Sequence, residues 1–223
     1  MNLYKISLSP YYIFSINAIY LSIVKSLYFS YTPKKLSLKT FIPIHNSINI
    51  ILSILVIYYS YLESARYNFS PLTYNNNCKN RLHELQISSY IYYMSKIYEY
   101  TDTIIMLLKH NYHQVSLLHV YHHSTISIVT WYVAKYQSCG DVFLAGLLNS
   151  IVHIIMYLSY TFNNKNKILK QLTTSIQITQ FFVLLFQGIL LIHSNIFFSF
   201  QIFYMISMII LFSHFYFTSY LRA

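Results

Sequence analysis

Charge is what this chain has least of. Only 9% of its 223 residues are Asp, Glu, Lys or Arg, five acids against fifteen bases, while 56% are hydrophobic. Together with a mean hydropathy of +0.44, that excludes an ordinary soluble domain, which carries about a quarter charged residues. Cysteine is nearly missing as well. Cys78 and Cys139 stand alone with no C-x-x-C pair, so neither a thiolate metal box nor a disulfide framework is available. The first residues lack a basic region followed by a short apolar core and a small-residue cleavage site, so the chain from Met1 is expected to be mature protein. No long linker, second domain or fixed-period repeat interrupts it, and residues 1–223 read as one transmembrane domain. Three Gly beside 25 Tyr and 16 Phe point to AT-biased coding as much as to selection, so single aromatic positions carry little weight.

What is present is apolar length. Runs of about 20 residues, enough to cross roughly 30 Å of hydrocarbon, fall at 10–31, 41–62, 85–108, 115–135, 142–162, 168–193 and 196–220. The expectation is an all-α polytopic membrane protein with seven transmembrane helices and its termini on opposite sides. Lys34, Lys35, Lys39, Lys109, Lys165, Lys167, Lys170 and Arg222 share one side, and Lys5, Arg66, Lys79, Arg81 and Lys135 the other. By the positive-inside rule the first side, with the C-terminus, is cytosolic. Asn75, Asn76 and Asn77, near Ser70 and Pro71, mark a non-cytosolic loop. A net charge of +10 scattered over short loops reads as topology rather than a nucleic-acid surface.

Polar groups inside those runs are few and grouped. His119, His122 and His123 form an H-x-x-H-H box, at i, i+3 and i+4 on one helix face. A charge at a membrane helix centre costs roughly 2.5 to 3.5 kcal/mol on insertion scales, so such groups face a bundle interior or a wet cavity. A lone histidine would read as a satisfied core residue; three on one face read as a site. A metal centre and an acid–base centre would both use this box.

The third helix adds Lys96, Glu99 and Asp102 at i, i+3 and i+6, where Lys96 and Glu99 can pair and one carboxylate is left to be compensated from elsewhere. Taken alone, this is also what a buried ion pair that fixes packing looks like. Asn149, His153 and Tyr157 stack on the fifth helix, and Gln177 and Gln180 on the sixth. Either set by itself fits ordinary interhelical hydrogen bonding, but four consecutive helices with polar faces are harder to dismiss. At 1.5 Å per residue, His119 to His123 lie about 6–12 Å below the cytosolic edge, Asp102 about 9 Å, His153 about 13 Å and Gln177 about 14 Å. The faces share a level open to a water-soluble group, with apolar depth beyond it suited to an alkyl chain. Lys25 is expected to snorkel or to face protein. His45, His83, His193 and His214 are isolated in the sequence and are taken as structural.

These residues resemble the ELO fatty acyl elongases. The family's K-x-x-E-x-x-D-T is Lys96, Glu99, Asp102 and Thr103, preceded by Tyr93, Met94 and Ser95 for its F-Y-x-S. Its Q-V-x-x-L-H-x-Y-H-H runs without departure from Gln114 to His123. N-S-x-V-H-x-x-M-Y is Asn149, Ser150, Val152, His153, Met156 and Tyr157; T-x-x-Q-x-x-Q-F is Thr174, Gln177, Gln180 and Phe181. The closing F-Y-x-x-S-Y-L runs from Phe215 to Leu221, and Leu38, Lys39 and Asn46 fit the family's approach to its second helix. Departures are two. The Arg-Lys-Lys run after the third helix is reduced to Lys109, His110 and Asn111, with Lys165, Lys167 and Lys170 as compensating CoA-phosphate ligands. The sequence ends at Ala223 without a lysine-rich tail.

The resemblance implies six helices around an acyl tunnel with a peripheral first helix, in the endoplasmic reticulum membrane. It implies condensation of a long-chain acyl-CoA with malonyl-CoA to 3-ketoacyl-CoA, CO2 and CoA, with no metal and no cofactor. Membrane lipid and the reductases and dehydratase of the elongation cycle are the implied partners, and nucleic acid is not one. Neutral imidazoles can act as nucleophile or base; His153, Asn149 and Gln177 are candidate oxyanion donors. Lys96 and Glu99 read as support for the histidines, joined in the cavity by Asp102, Thr103, Gln114, Tyr157 and Gln180. Among His119, His122 and His123 the resemblance singles out His122 as the nucleophile of a ping-pong reaction through an acyl-imidazole, with His153 across the cavity. Two other classes stay open on the residues: a di-iron desaturase or hydroxylase, which would want a second H-x-x-H-H that is missing here, and a seven-helix lipid transporter or receptor.

Overall fold

The computed structural model describes residues 3–29, 35–67, 70, 72, 86–137, 142–162 and 166–222. Lys34, Asn75 to Asn77, Cys78, Lys79, Arg81, His83, Cys139 and Lys165 lie outside the described residues.

Every apolar run forms a helix. In chain order these are α1 (Leu3–Ser7), α2 (Pro10–Phe29), α3 (Phe41–Tyr67), α4 (Gln86–Tyr98), α5 (Tyr100–Leu108), α6 (Leu117–Tyr136), α7 (Phe143–Thr161), α8 (Lys167–Leu191) and α9 (Ile196–Tyr216). A 3₁₀ turn at Tyr112–Gln114 precedes α6, and a π turn at Phe217–Leu221 follows α9. Three starts are capped where polar sequence gives way to apolar: Ser116 accepts from the amide of His119, Asn166 from Ile168 and Asn195 from Phe197. The third expected helix departs from expectation, dividing at Glu99 into α4 and α5. The Asp102 amide bonds to the Glu99 carbonyl at 3.0 Å, a three-residue spacing that tightens one turn.

Among the described residues, five helices are long and apolar enough to cross a membrane: Pro10–Phe29, Phe41–Leu62, Phe143–Thr161, Lys167–Leu191 and Ile196–Leu221. The two remaining runs carry Lys96, Glu99, Asp102 and the three histidines, and the break at Glu99 leaves α4 and α5 with 13 and 9 residues, each too short to span alone. The chain is therefore an all-helical, multi-pass membrane protein.

The packing order closes a ring. α3 lies on α4 and α7, α7 on α8, α8 on α9, α9 on α6, and α6 back on α4. α2 sits outside, against α5 and α6. Directional bonds hold it there: Asn17 and Ser124 exchange hydrogen bonds, Trp131 Nε1 donates to the Leu8 carbonyl at 3.0 Å, and Tyr20 stacks on Tyr100 at 4.0 Å. Lys25 is exposed on the outer helix, as a snorkelling lysine should be. At one end of the ring the Leu36 amide bonds to the Leu108 carbonyl, 3.1 Å. At the other, Val133, Val142, Leu191, Phe197 and Phe198 from four helices form a buried plug, with Tyr132 stacked on Phe197.

Candidate active site

Glu99 is the hub. The turn between α4 and α5 directs its carboxylate into the ring, where it is 2% exposed. Lys96 Nζ donates to Oε1 at 2.7 Å, and His153 Nδ1 of α7 stands 3.1 Å from the same oxygen. His123 Nδ1 of α6 is 4.0 Å from Oε2. Lys96 Nζ also lies 3.5 Å from His153 Nε2. An ammonium can only donate, so that nitrogen is the acceptor and Nδ1 carries the hydrogen that faces Glu99.

The remaining histidines of the box are held separately. His119 Nε2 meets Thr103 Oγ1 at 2.9 Å, and Thr103 in turn meets the Tyr20 hydroxyl at 2.9 Å. His122 Nδ1 lies 3.4 Å from the Tyr204 hydroxyl and its ring meets Phe212 edge-on, both on α9. The rings of His119 and His123 are 4.4 Å apart, those of His122 and His123 5.5 Å. One helix thus offers three imidazoles to three different neighbours, which a single sequence face cannot reveal.

Four buried polar atoms here have no hydrogen-bond partner: Glu99 Oε2, His123 Nδ1, His153 Nδ1 and Asn149 Oδ1. An unmatched buried polar atom costs about 1–3 kcal/mol. Three of them belong to Glu99 and the two histidines beside it, so the unmatched polar atoms gather at this cluster. Among the described residues, no three His, Cys, Asp or Glu side chains converge as a metal-binding group.

One turn away lies a second network that sequence reading missed. Asp102 Oδ1 is 2.7 Å from His45 Nε2, and the Tyr157 hydroxyl donates to Oδ2 at 2.6 Å. His45 is thus no isolated histidine. It is 1% exposed and supplies the compensation that the second carboxylate requires. The available signal was the charge surplus itself, which demanded a partner without locating it. His193 and His214 are exposed, in keeping with a structural reading.

Other expected site residues divide. Asn149 and Gln180 are buried on α7 and α8. Gln177 reaches only the sulfur of Met156, at 3.9 Å. Gln114 is exposed in the 3₁₀ turn, outside the knot around Glu99. Lys109 caps α5, and Lys167 and Lys170 are exposed at the start of α8.

Fold and site together define a multi-pass helical membrane protein with a buried cluster of ionisable side chains inside its bundle. The chain belongs to the ELO family (GNS1/SUR4 family), whose model matches residues 5–223. Over 139 residues it is 37% identical to a Xenopus laevis protein named very long chain fatty acid elongase 5, covering 58% of this chain and 47% of the relative. The Mus musculus protein of that name is 35% identical over 139 residues, covering 58% and 46%. A Leishmania major protein named fatty acid elongase 6 is 46% identical over 68 residues, 30% of this chain and 18% of its own length. The chain spans about half the length of the elongase 5 relatives it matches.

Proposed function

We propose that this protein is a fatty acyl elongase that condenses a long-chain acyl-CoA with malonyl-CoA. The observation that carries the reading is the Lys96–Glu99–His153 cluster beside the three-histidine face, buried within the family's motifs. In the first half-reaction the free ring nitrogen of His122 attacks the thioester carbonyl. The carbon–sulfur bond breaks, CoA leaves as a thiolate and takes a proton from solvent, and an acyl-imidazole that keeps its other ring hydrogen, and so a positive charge, remains.

In the second, malonyl-CoA loses CO2 and the resulting enolate carbon attacks the acyl carbonyl. The acyl–nitrogen bond breaks, returning free imidazole and releasing 3-ketoacyl-CoA. His153 and Asn149 are the candidate donors to the developing oxyanion, His153 by turning its Nδ1 hydrogen away from Glu99, which it faces without a hydrogen bond. Gln177 fits that role less well, being turned to Met156. In the tautomer with its hydrogen on Nδ1, His122 donates to the Tyr204 hydroxyl and Nε2 is the nitrogen that attacks.

The acyl chain runs from the histidine level to the Phe197–Phe198 plug, and CoA stays at the opposite mouth near Lys109, Lys167 and Lys170, with Lys165 assigned to it from the sequence alone. That mouth and the C-terminus face the cytosol, in the endoplasmic reticulum membrane, where the reductases and dehydratase of the cycle would take the product. No metal or other cofactor takes part in this reading, since condensation needs no redox centre and Lys96 already balances the Glu99 carboxylate.

The test supplies radiolabelled malonyl-CoA and a ladder of acyl-CoA lengths to purified protein in chelator-treated buffer. Labelled 3-ketoacyl-CoA lost on Glu99→Gln is expected. Activity that returns only with added iron or zinc would contradict the cofactor-free account. No condensation with any acyl length, with or without metal, would contradict the elongase reading.

A further inference from the structure

The His45–Asp102–Tyr157 network has no part in the chemistry above, yet it is built as tightly as the site. His45 sits one turn into α3 and four polar groups converge on it. Asp102 Oδ1 at 2.7 Å and Asn49 Nδ2 at 3.1 Å face Nε2; Thr101 Oγ1 at 3.1 Å and the Tyr98 hydroxyl at 3.2 Å face Nδ1. An ionised carboxylate only accepts, so Nε2 carries the hydrogen and donates to Asp102. With that hydrogen on Nε2 the Asn49 amide, a donor, makes no bond to it and donates to the His45 carbonyl at 3.1 Å instead. Thr101 donates to the Tyr98 carbonyl at 2.7 Å and offers Nδ1 an oxygen. The imidazole is pinned at both nitrogens.

Tyr157 is 0% exposed and wedged between two histidines. Its ring meets His45 at 6.3 Å and His153 at 5.7 Å, edge-on in both cases, while its hydroxyl is anchored on Asp102. A chain of contacts therefore crosses three helices, from His45 on α3 through Asp102 on α5 to Tyr157 and His153 on α7. His122 stands elsewhere, against Tyr204 and Phe212 of α9. Without His45, the Asp102 carboxylate loses its charge-assisted donor; at 13% side-chain exposure it can turn toward water. Tyr157 then loses the anchor that sets its edge against His153.

We propose that His45 is a positioning residue for the condensation half-reaction, acting through Asp102 and Tyr157 on the orientation of His153. This rests on the acyl-histidine reading, because it assigns the two halves of that reaction to different parts of the ring.

The experiment uses the full chain in nanodiscs, with His45→Ala, His45→Gln and Tyr157→Phe. Acyl-CoA alone gives the CoA burst; malonyl-CoA added to preformed acyl-enzyme gives the discharge rate. For His45→Ala the burst should stay within about twofold and the discharge slow by about tenfold or more. His45→Gln, which keeps an N–H for Asp102, should recover most of the rate. Tyr157→Phe, which keeps the ring and drops the anchor, should repeat the alanine pattern and serves if His45→Ala does not fold. Burst and discharge falling together, or discharge unchanged, would overturn the proposal. A wild-type protein without a burst would remove the covalent reading instead. His45 is then judged in steady state, where a lowered kcat with acyl-CoA KM held, recovered in His45→Gln, supports it and a raised KM with kcat held overturns it.

Discussion

Lys96 and Glu99 carry the largest local stakes. Both are essentially buried, at 1% and 2% exposure, and removing one partner of a buried pair leaves the other charge uncompensated, at about 3–5 kcal/mol. Lys96→Met should therefore destabilise the protein by about that much, while Lys96→Met with Glu99→Leu should recover most of the stability and none of the activity. Detergent-solubilised thermal unfolding of the two variants measures this; equal losses would show that the pair is not coupled as drawn. The pair itself was legible in the sequence, because i and i+3 on a helix must meet. His153 and His123 around the same carboxylate were legible only as residues at one depth. His45 was not legible at all, since its partner lies 57 residues away on another helix and no periodicity links two single residues.

At the scale of elements, the elongase reading makes the far end of the ring the stop that would set the length of an alkyl chain. Phe197 and Phe198 close it from α9, against Val133, Val142 and Leu191 from three other helices. Gly188 lets α8 approach α9 there, because a Cβ in its place would stand 3.0 Å from Ile202 Cγ1 and 3.5 Å from the Phe198 carbonyl oxygen. Ile192, at the same end of α8, is exposed. An extended chain anchored at the histidine level meets the plug after crossing roughly 20 Å of hydrocarbon. Phe197→Ala should lengthen the products, read by mass spectrometry of the acyl chains, and an unchanged profile for both Phe197→Ala and Phe198→Ala would place the stop elsewhere. Phe198→Ala carries the larger stability cost, about 3–5 kcal/mol, since that ring is fully buried. Apolar run lengths foretold these helices to within a few residues. They did not foretell the turn at Glu99, because tightening by one hydrogen bond leaves the hydrophobic pattern unchanged.

For the molecule as a whole, the ring is what turns four polar helix faces into one centre. Sequence order alone could not close it: α6 and α9 meet although 59 residues separate their ends, and this contact brings Tyr204 to His122. The bond from Leu36 to Leu108 places the approach to α3 and the end of α5 at the same face, which agrees with grouping Lys35, Lys39 and Lys109 on one side. A single cysteine introduced at Lys109 or Lys167, in a chain with Cys78 and Cys139 replaced by serine, should react with an impermeant thiol reagent only from the cytosolic side; lumenal labelling would invert the topology. The central claim, that an imidazole of this ring carries the acyl group, is tested most directly by incubating the purified protein with acyl-CoA and no malonyl-CoA, following free CoA and intact mass. A stoichiometric CoA burst with an acyl adduct, both lost in His122→Ala, is the predicted result. An adduct that survives His122→Ala, or active enzyme that shows neither burst nor adduct, would contradict it.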